Sequence, residues 1–261
     1  MIPAQRHALI LDAVRRAGAA SIQTLASEIG ASLATVRRDL DFLTERGYLE
    51  RTHGGAMLRA RLRTTFEPSA DISSGVAHAA KAAIGAVAAD MLEEGQSVIF
   101  DSSSTVLEAA RAVVRRRIAL TAVTNDLRIA HLFATCPDVT LIMTGGTLRK
   151  DSYTLTGEPG HSFVEGLMAD VAFLGTHALA GLTLTDTSLE IAETKKRFAA
   201  AARRLIVLAD SSKFEQPAFR RVCPLSTASV LVCDDGLPGR LRKAIAKSGV
   251  TLAIADTGPR P

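Results

Sequence analysis

The sequence predicts an α/β chain in two unequal parts: a small helical module closed by a β-hairpin, then a larger body in which strands and helices alternate. Three observations point there. Residues 1–58 hold three short helical patterns followed by a paired-glycine turn, residues 77–255 repeat a strand-then-helix rhythm, and the formal excess of positive charge falls in the first quarter of the chain. At 261 residues the chain has room for a small N-terminal domain and one of ordinary domain size.

The first helix is predicted over residues 5–17, where Leu9, Ile10, Ala13 and Val14 recur at helical spacing and Gly18 stops the run. Ser21 caps a short second helix carrying Ile22, Leu25, Ala26 and Ile29, and Gly30 supplies the turn after it. Ser32 caps a third, in which Leu33, Val36, Leu40 and Leu43 form one stripe expected to be buried. Thr35, Arg37 and Arg38 are left facing outward, with Asp39 placed to orient one of the two arginines. Gly47 ends this helix, and Tyr48 and Leu49 open a strand. Gly54 and Gly55 form a turn free to take positive φ, from which Ala56, Met57 and Leu58 return.

Helix, helix, glycine turn and arginine-bearing helix, followed by a hairpin, is the order of a winged helix-turn-helix. A helix that enters the major groove end-on needs short hydroxyls and guanidinium groups in its first turns, because Arg grips guanine edges or phosphates at two points. Ser32, Thr35, Arg37 and Arg38 meet that need, and Arg51, His53 and Gly54 ride on the wing. A solvated helix face is the plain alternative for an isolated Arg-Arg pair, and the surrounding order weighs against it here. Residues 1–65 contain ten arginines, no lysine and six acids, while the remainder is balanced at 21 basic and 21 acidic residues. A basic module on a neutral body is the footprint of a protein that grips phosphate backbone with one end.

Arg6, Ile10, Leu25, Ser32, the run Thr35-Val36-Arg37-Arg38-Asp39-Leu40, Leu43, Gly47 and the run Arg51-Thr52-His53-Gly54-Gly55-Ala56 together resemble the winged helix-turn-helix of the DeoR family of bacterial transcriptional repressors. The resemblance implies double-stranded operator DNA as a partner. Because one winged module reads one half-site, a homodimer or homotetramer on repeated or palindromic DNA is expected.

Residues 59–76 pass from Arg-rich to Pro-, Ser-, Asp- and Gly-containing sequence without periodicity and are expected to be a linker. From Ala77 onward, short apolar strands are predicted at 97–101, 118–123, 139–143, 171–175, 205–209, 230–233 and 250–254, with helical patterns between many of them. This is the pattern of a Rossmann-like, largely parallel sheet covered on both faces, filling 77–255 and leaving 256–261 as a tail.

In such sheets ligands bind at the carboxyl ends of the strands. Asp101, Ser102, Ser103, Ser104 and Thr105 follow the first strand and open a helix, which is the make-up of a phosphate cradle. Thr124 and Asn125 follow the second strand, Gly145 and Gly146 the third, and Asp210 and Lys213 the fifth. Lys213 is suited to neutralise a phosphate, and Asp101, Asn125 or Asp210 to accept from sugar hydroxyls. Each alone reads as a cap or a turn; together they predict a polyol-phosphate pocket.

The segments 81–84, 101–105, 124–125, 145–149, 170–175, 181–183, 192–195 and 208–214 resemble the DeoR-type C-terminal sensor domain, which is similar in fold to ribose-5-phosphate isomerase and glucosamine-6-phosphate deaminase. The resemblance implies a repressor of a carbohydrate catabolic operon, released from DNA by a phosphorylated sugar or related metabolite. The sequence departs from the family pattern at Ser103, where glycine is usual, and this predicts a loop of tighter or different shape. It departs again at 176–180, where the family commonly has a glycine and acidic residues.

Two other readings are weighed. An isomerase-like enzyme fused to a DNA-binding module would use Asp101, Asp126 or Glu193 as a base, but no acid-base pair stands out beyond what binding requires, and no catalytic residue is assigned. A repressor with no remaining small-molecule response stands as a further alternative, while a purely architectural DNA binder leaves the neutral α/β body and its polar strand ends unexplained. Cys136, Cys223 and Cys233 lack metal-site spacing and read as reduced thiols, so neither metal nor cofactor is expected and a cytoplasmic location is. No apolar run approaches a membrane span.

Overall fold

The computed structural model describes residues 1–58, 64–65, 67, 69–214 and 217–258, which gather into two units, Met1–His78 and Ala79–Pro261. The first unit runs α1 (Pro3–Ala17), β1 (Ala19–Ser21), α2 (Ile22–Ile29), α3 (Leu33–Glu45), β2 (Leu49–Thr52), β3 (Gly55–Leu58) and α4 (Ala70–Gly75). Ser21 Oγ accepts from the Thr24 amide at 3.0 Å and Ser32 Oγ from the Thr35 amide at 3.1 Å, so both short helices start at the predicted caps. Ile10, Val14, Leu25, Val36, Leu40 and Leu43 fill the core, each contributing roughly 1.5–3 kcal/mol by leaving water. Leu33 departs from the expected stripe: it is 42% exposed, at the first turn of α3, and the packed part of the stripe begins at Val36.

The hairpin turns through His53 and Gly54, with Thr52 opposite Gly55. Neither Gly54 nor Gly55 takes positive φ, contrary to expectation. Glycine is required at 55 for a different reason: β1 pairs with β3 in a β1-β3-β2 sheet, and a Cβ at Gly55 would stand 2.0 Å from the Ala20 carbonyl oxygen. Of the expected linker, residues 59–63, 66 and 68 lie outside the described residues, as do 259–261 of the tail. The remainder is not all linker. Ile72, 4% exposed, joins the core of the first unit and draws α4 onto α1, where a Cβ at Gly75 would meet the Ala8 methyl at 2.5 Å.

From α5 (His78–Ala89) the chain continues through β4 (Ser97–Phe100), α6 (Ser104–Arg116), β5 (Leu120–Thr124), α7 (Leu127–Ala134), β6 (Val139–Met143), β7 (Thr147–Leu148), β8 (Leu155–Thr156) and α8 (Gly160–Glu165). It then runs β9 (Ala169–Gly175), β10 (Ala178–Ala180), β11 (Thr183–Asp186), α9 (Leu189–Ala200), β12 (Ala202–Leu208), β13 (Arg220–Pro224), β14 (Val230–Asp234), α10 (Gly239–Lys247) and β15 (Thr251–Ala255). Seven strands form one parallel sheet in the order β15-β14-β12-β9-β4-β5-β6, and they are the seven predicted. Alternate residues face opposite layers: Val98, Phe100, Val171 and Phe173 pack with Ile84, Val113 and Phe133, while Ile99, Ala172 and Leu174 pack with Phe198 and Ile245.

The chain steps outward from β4 to β5 and β6, then returns to the other side of β4 with β9. The topological switch point therefore lies between the carboxyl ends of β4 and β9, where a crevice opens in sheets of this kind. A small antiparallel sheet, β10-β11-β13, and the two-stranded β7-β8 ribbon lie outside the sequence prediction.

Candidate DNA interface and effector site

In the first unit α3 presents Arg37 and Arg38 to solvent, with Thr35 half-buried beside its cap, Thr35 Oγ1 lying 2.9 Å from Ser32 Oγ. Asp39 does not orient either arginine. It is buried and turned the other way, accepting from Arg6 Nε at 2.6 Å and Arg6 Nη2 at 2.8 Å, and lying 3.0 Å from His7 Nε2. Four residues separate one side of a helix from the same side one turn later, so Asp39 shares the buried side with Leu40 and Leu43 rather than the outward side with Arg37 and Arg38. Burial alone would raise the Asp39 pKa; the Arg6 guanidinium and His7 outweigh it and hold the carboxyl below its usual value. Phe42 is stacked on the His7 ring at 4.5 Å and lies under the Arg46 guanidinium at 4.5 Å. A cavity of about 480 Å³ borders Arg6, Thr35, Arg38, Asp39 and Phe42. On the wing, Arg51 Nε reaches Asp41 Oδ1 at 3.4 Å, tying hairpin to recognition helix, while His53 and Gly54 stand exposed at the turn.

In the second unit the polar residues after the strands fall at different distances from the switch point. Phe100 is paired with Thr124, so 101–105 and Asn125 lie side by side at neighbouring strand ends. Gly145 and Gly146 follow β6, one strand farther out, both at positive φ. Asp210 and Lys213 follow β12, two strands from β4 on the opposite side, about 10 Å away at the usual strand spacing. Asn125 follows β5, one strand farther still from β12. Asp210 Oδ1 caps its own turn, accepting from the Ser212 amide at 3.1 Å, and Lys213 is half-buried at the end of that turn.

Two predicted ligand groups are engaged within the fold. Asp101 Oδ2 accepts from the Gly175 amide at 3.0 Å and from Lys195 Nζ. Thr124 Oγ1 donates to the Phe100 carbonyl at 2.8 Å and accepts from the Asp126 amide at 3.1 Å. Lys195, only 3% exposed, also donates to the Gly175 carbonyl at 2.9 Å and stands 3.9 Å from Asp186 Oδ2. Sequence reasoning did not assign it: a lysine in a helix reads as solvated, and only the spacing Ala192-Glu193-Thr194-Lys195 hinted otherwise.

Ser103 does not crowd the cradle. Its side chain caps α6, accepting from the Val106 amide at 3.1 Å, and lies against Gly175, where a Cβ would stand 2.2 Å from Ser103 Oγ. The larger residue is accommodated because its neighbour on β9 has no side chain. What faces the cradle is the first turn of α6, whose leading amides have no partner within the helix. Two buried side-chain atoms there have no hydrogen-bond partner among the described residues: Ser102 Oγ and Asn125 Oδ1.

The three acids weighed as catalytic bases are all committed. Asp101 holds Lys195; Asp126 caps α7 and binds Arg128 at 2.6 Å; Glu193 is paired with Lys196 at 2.8 Å and Arg220 at 3.3 Å. Among the described residues no His, Cys, Asp and Glu group is arranged to hold a metal ion, and no helix is long and apolar enough to cross a membrane.

Residues 6–61 match the DeoR-like helix-turn-helix domain and residues 76–235 match the DeoR C-terminal sensor domain. The chain belongs to the DeoR family of transcriptional regulators. It is 31% identical over 98% of its length to an uncharacterised HTH-type regulator, YgbI, of Escherichia coli K12, covering 99% of that protein. It is 34% identical to the HTH-type regulator GlpR of Haloferax volcanii, with 97% of this chain and 98% of the relative covered. A putative aga operon transcriptional repressor of Escherichia coli O157:H7 is 29% identical, with coverage of 96% and 93%. Among solved structures, the chain is similar to ribose 5-phosphate isomerase A of Neisseria gonorrhoeae, with a TM-score of 0.37, 15% identity and coverage of 52% and 53%. It is also similar to eIF2B delta of Chaetomium thermophilum, with a TM-score of 0.45, 15% identity and coverage of 59% and 55%.

Proposed function

We propose that this DeoR-family regulator represses a carbohydrate catabolic operon and leaves its operator when a phosphorylated sugar or related metabolite occupies the cradle beside the switch point. The orphaned pair Ser102 Oγ and Asn125 Oδ1 carries the reading. A buried polar atom without a partner costs roughly 1–3 kcal/mol, and at the start of a thirteen-residue helix the amides and dipole favour an anion beside it. An anionic group on the α6 amides and Ser102, with a hydroxyl donating to Asn125, satisfies both. Ser104, Thr105, Gly145 and Gly146 border that ligand, Asp101 and Ser103 hold the loop, and Lys213 acts at a distance through its charge. On the DNA side Arg37 and Arg38 contact base edges or phosphate, Ser32 and Thr35 support the entry of α3, and Arg51, His53 and Gly54 follow the backbone from the wing. One module reads one half-site, so the working form is a homodimer or homotetramer. The committed state of Asp101, Asp126 and Glu193 supports a sensor over an isomerase.

Isothermal titration of the full chain with sugar phosphates, compared with the same sugars lacking phosphate, tests the cradle. Binding that requires the phosphate and weakens about tenfold or more in Ser102→Ala supports the reading, one lost hydrogen bond to a charged partner being worth at least about that much. Equal binding of free sugars, or of none of the compounds, overturns it.

A further inference from the structure

Asn125 has two ends with different occupants. Its Nδ2 donates to the Leu155 carbonyl at 3.0 Å, and its backbone carbonyl accepts from the Leu155 amide at 2.8 Å, so it clamps Leu155 of the β7-β8 ribbon. Because a carbonyl only accepts, that bond fixes which end of the amide is nitrogen, and the other end, Oδ1, is the buried orphan. At 1% exposure the side chain has little access to bulk water.

The ribbon itself is slight. Two residue pairs join its strands, Thr147 with Thr156 and Leu148 with Leu155, and the Arg149 amide donates to the Thr154 carbonyl at 2.9 Å just beyond them. Gly146 at φ +110 and Gly157 at φ +77 flank it, and a Cβ at Gly146 would stand 2.7 Å from the Thr156 carbonyl. Outside Asn125 the ribbon is tied by the Leu127 amide to the Tyr153 carbonyl at 2.9 Å, by an antiparallel bridge between Asp126 and Thr154, and by the Arg128 guanidinium over the Tyr153 ring. A segment of so few pairings belongs to the easily opened part of a fold.

We infer that Asn125 is the residue through which a ligand hydroxyl is read, and that filling its Oδ1 fixes the β7-β8 ribbon through its Nδ2. This rests on the effector cradle proposed above. An amide whose oxygen accepts a hydrogen bond becomes a stronger donor at its nitrogen and loses rotational freedom, so the clamp on Leu155 tightens when the ligand binds. The ligand class follows: a phosphorylated polyol with a hydroxyl donor near its phosphate, since an oxyanion without a hydroxyl, such as sulfate, satisfies the α6 amides and Ser102 but has no donor for Oδ1.

Hydrogen exchange followed by mass spectrometry on the full chain separates the two claims, with peptides covering 102–107 reporting the cradle and 147–156 the ribbon. The probes are sulfate, which carries no hydroxyl, and a series of triose to hexose phosphates. In the wild type, a binding sugar phosphate is expected to slow both segments, the ribbon about tenfold, whereas sulfate slows only 102–107. In Asn125→Asp, which removes the Nδ2 donor, the ribbon is expected to exchange faster than in the wild type already without ligand, and to gain no protection with it. Ribbon protection by sulfate equal to that by the sugar phosphate overturns the inference in the wild type alone, and so does full ribbon protection in Asn125→Asp. If no probe protects 102–107, the cradle fails and the inference with it; if 102–107 is protected and 147–156 never is, the inference fails and the cradle stands.

Discussion

Replacing Asp39 by alanine should loosen α3 while leaving Arg37 and Arg38, the proposed DNA contacts, unchanged. The carboxylate receives two bonds from Arg6 at 2.6 and 2.8 Å and one contact from His7 at 3.0 Å, and its side chain is 6% exposed. Removing one partner of a buried ion pair costs roughly 3–5 kcal/mol, because the other charge is left without compensation. Arg6 is 15% exposed and recovers some hydration, which lowers the expected cost to about 2–3 kcal/mol. At about 1.4 kcal/mol per tenfold, amides of α3 that exchange by opening of the first unit should exchange roughly 30- to 140-fold faster. Hydrogen exchange on the full chain reads this directly, with Arg37→Ala as the control expected to leave α3 protection within about twofold. The pH dependence has a definite sign. Asp39 has a lowered folded pKa, so its contribution is present above the unfolded carboxylate value of about 3.9 and is lost as pH falls through the lower folded value. The gap between wild type and Asp39→Ala is therefore present above the carboxylate range and closes in acid. An exchange change of less than threefold, or a gap that persists unchanged into acid, would refute the role assigned to Asp39.

Further outcomes follow from the same geometry. Arg37→Ala and Arg38→Ala should each weaken operator binding by about 1–3 kcal/mol and, where the lost contact is to phosphate, lower the salt slope by about one, as read by anisotropy titrations at several salt concentrations. Gly175→Ala places a methyl 2.2 Å from Ser103 Oγ and should destabilise the second unit by about 1–3 kcal/mol in denaturant unfolding; adding Ser103→Gly should recover most of the loss. Lys195→Met leaves Asp101 and Asp186 buried without their cation and should cost about 3–5 kcal/mol in the same assay.

The strands of the parallel sheet were legible because a strand buried on both faces must be continuously apolar, and runs such as 139–143 and 230–233 admit few other readings. The caps were legible because Ser21 and Ser32 act on amides three residues away, a local matter. What escaped is long-range. The β10-β11-β13 sheet pairs Thr185 with Arg221 across the whole of α9 and β12, and its strands are short and mixed in polarity. Asp39 looked like a partner for Arg37 or Arg38 because they are adjacent in sequence, whereas its actual partner Arg6 is brought in by α1. Ser103 looked obstructive beside a phosphate because its real neighbour, Gly175, lies on another strand. In the same way, the strand ends seemed to form one group in sequence, yet the sheet order sets Lys213 two strands away from the cradle.

The central claim is that one end of this chain grips operator DNA and a phosphorylated sugar at the other end loosens that grip. Fluorescence anisotropy of the full chain on DNA from upstream of its own operon, at fixed salt and with a panel of sugar phosphates, tests it most directly. The account predicts tight binding that one phosphorylated sugar, and not its unphosphorylated form, weakens by tenfold or more. Tight binding indifferent to every member of the panel would contradict the sensor, and the absence of sequence-specific binding would contradict the account as a whole.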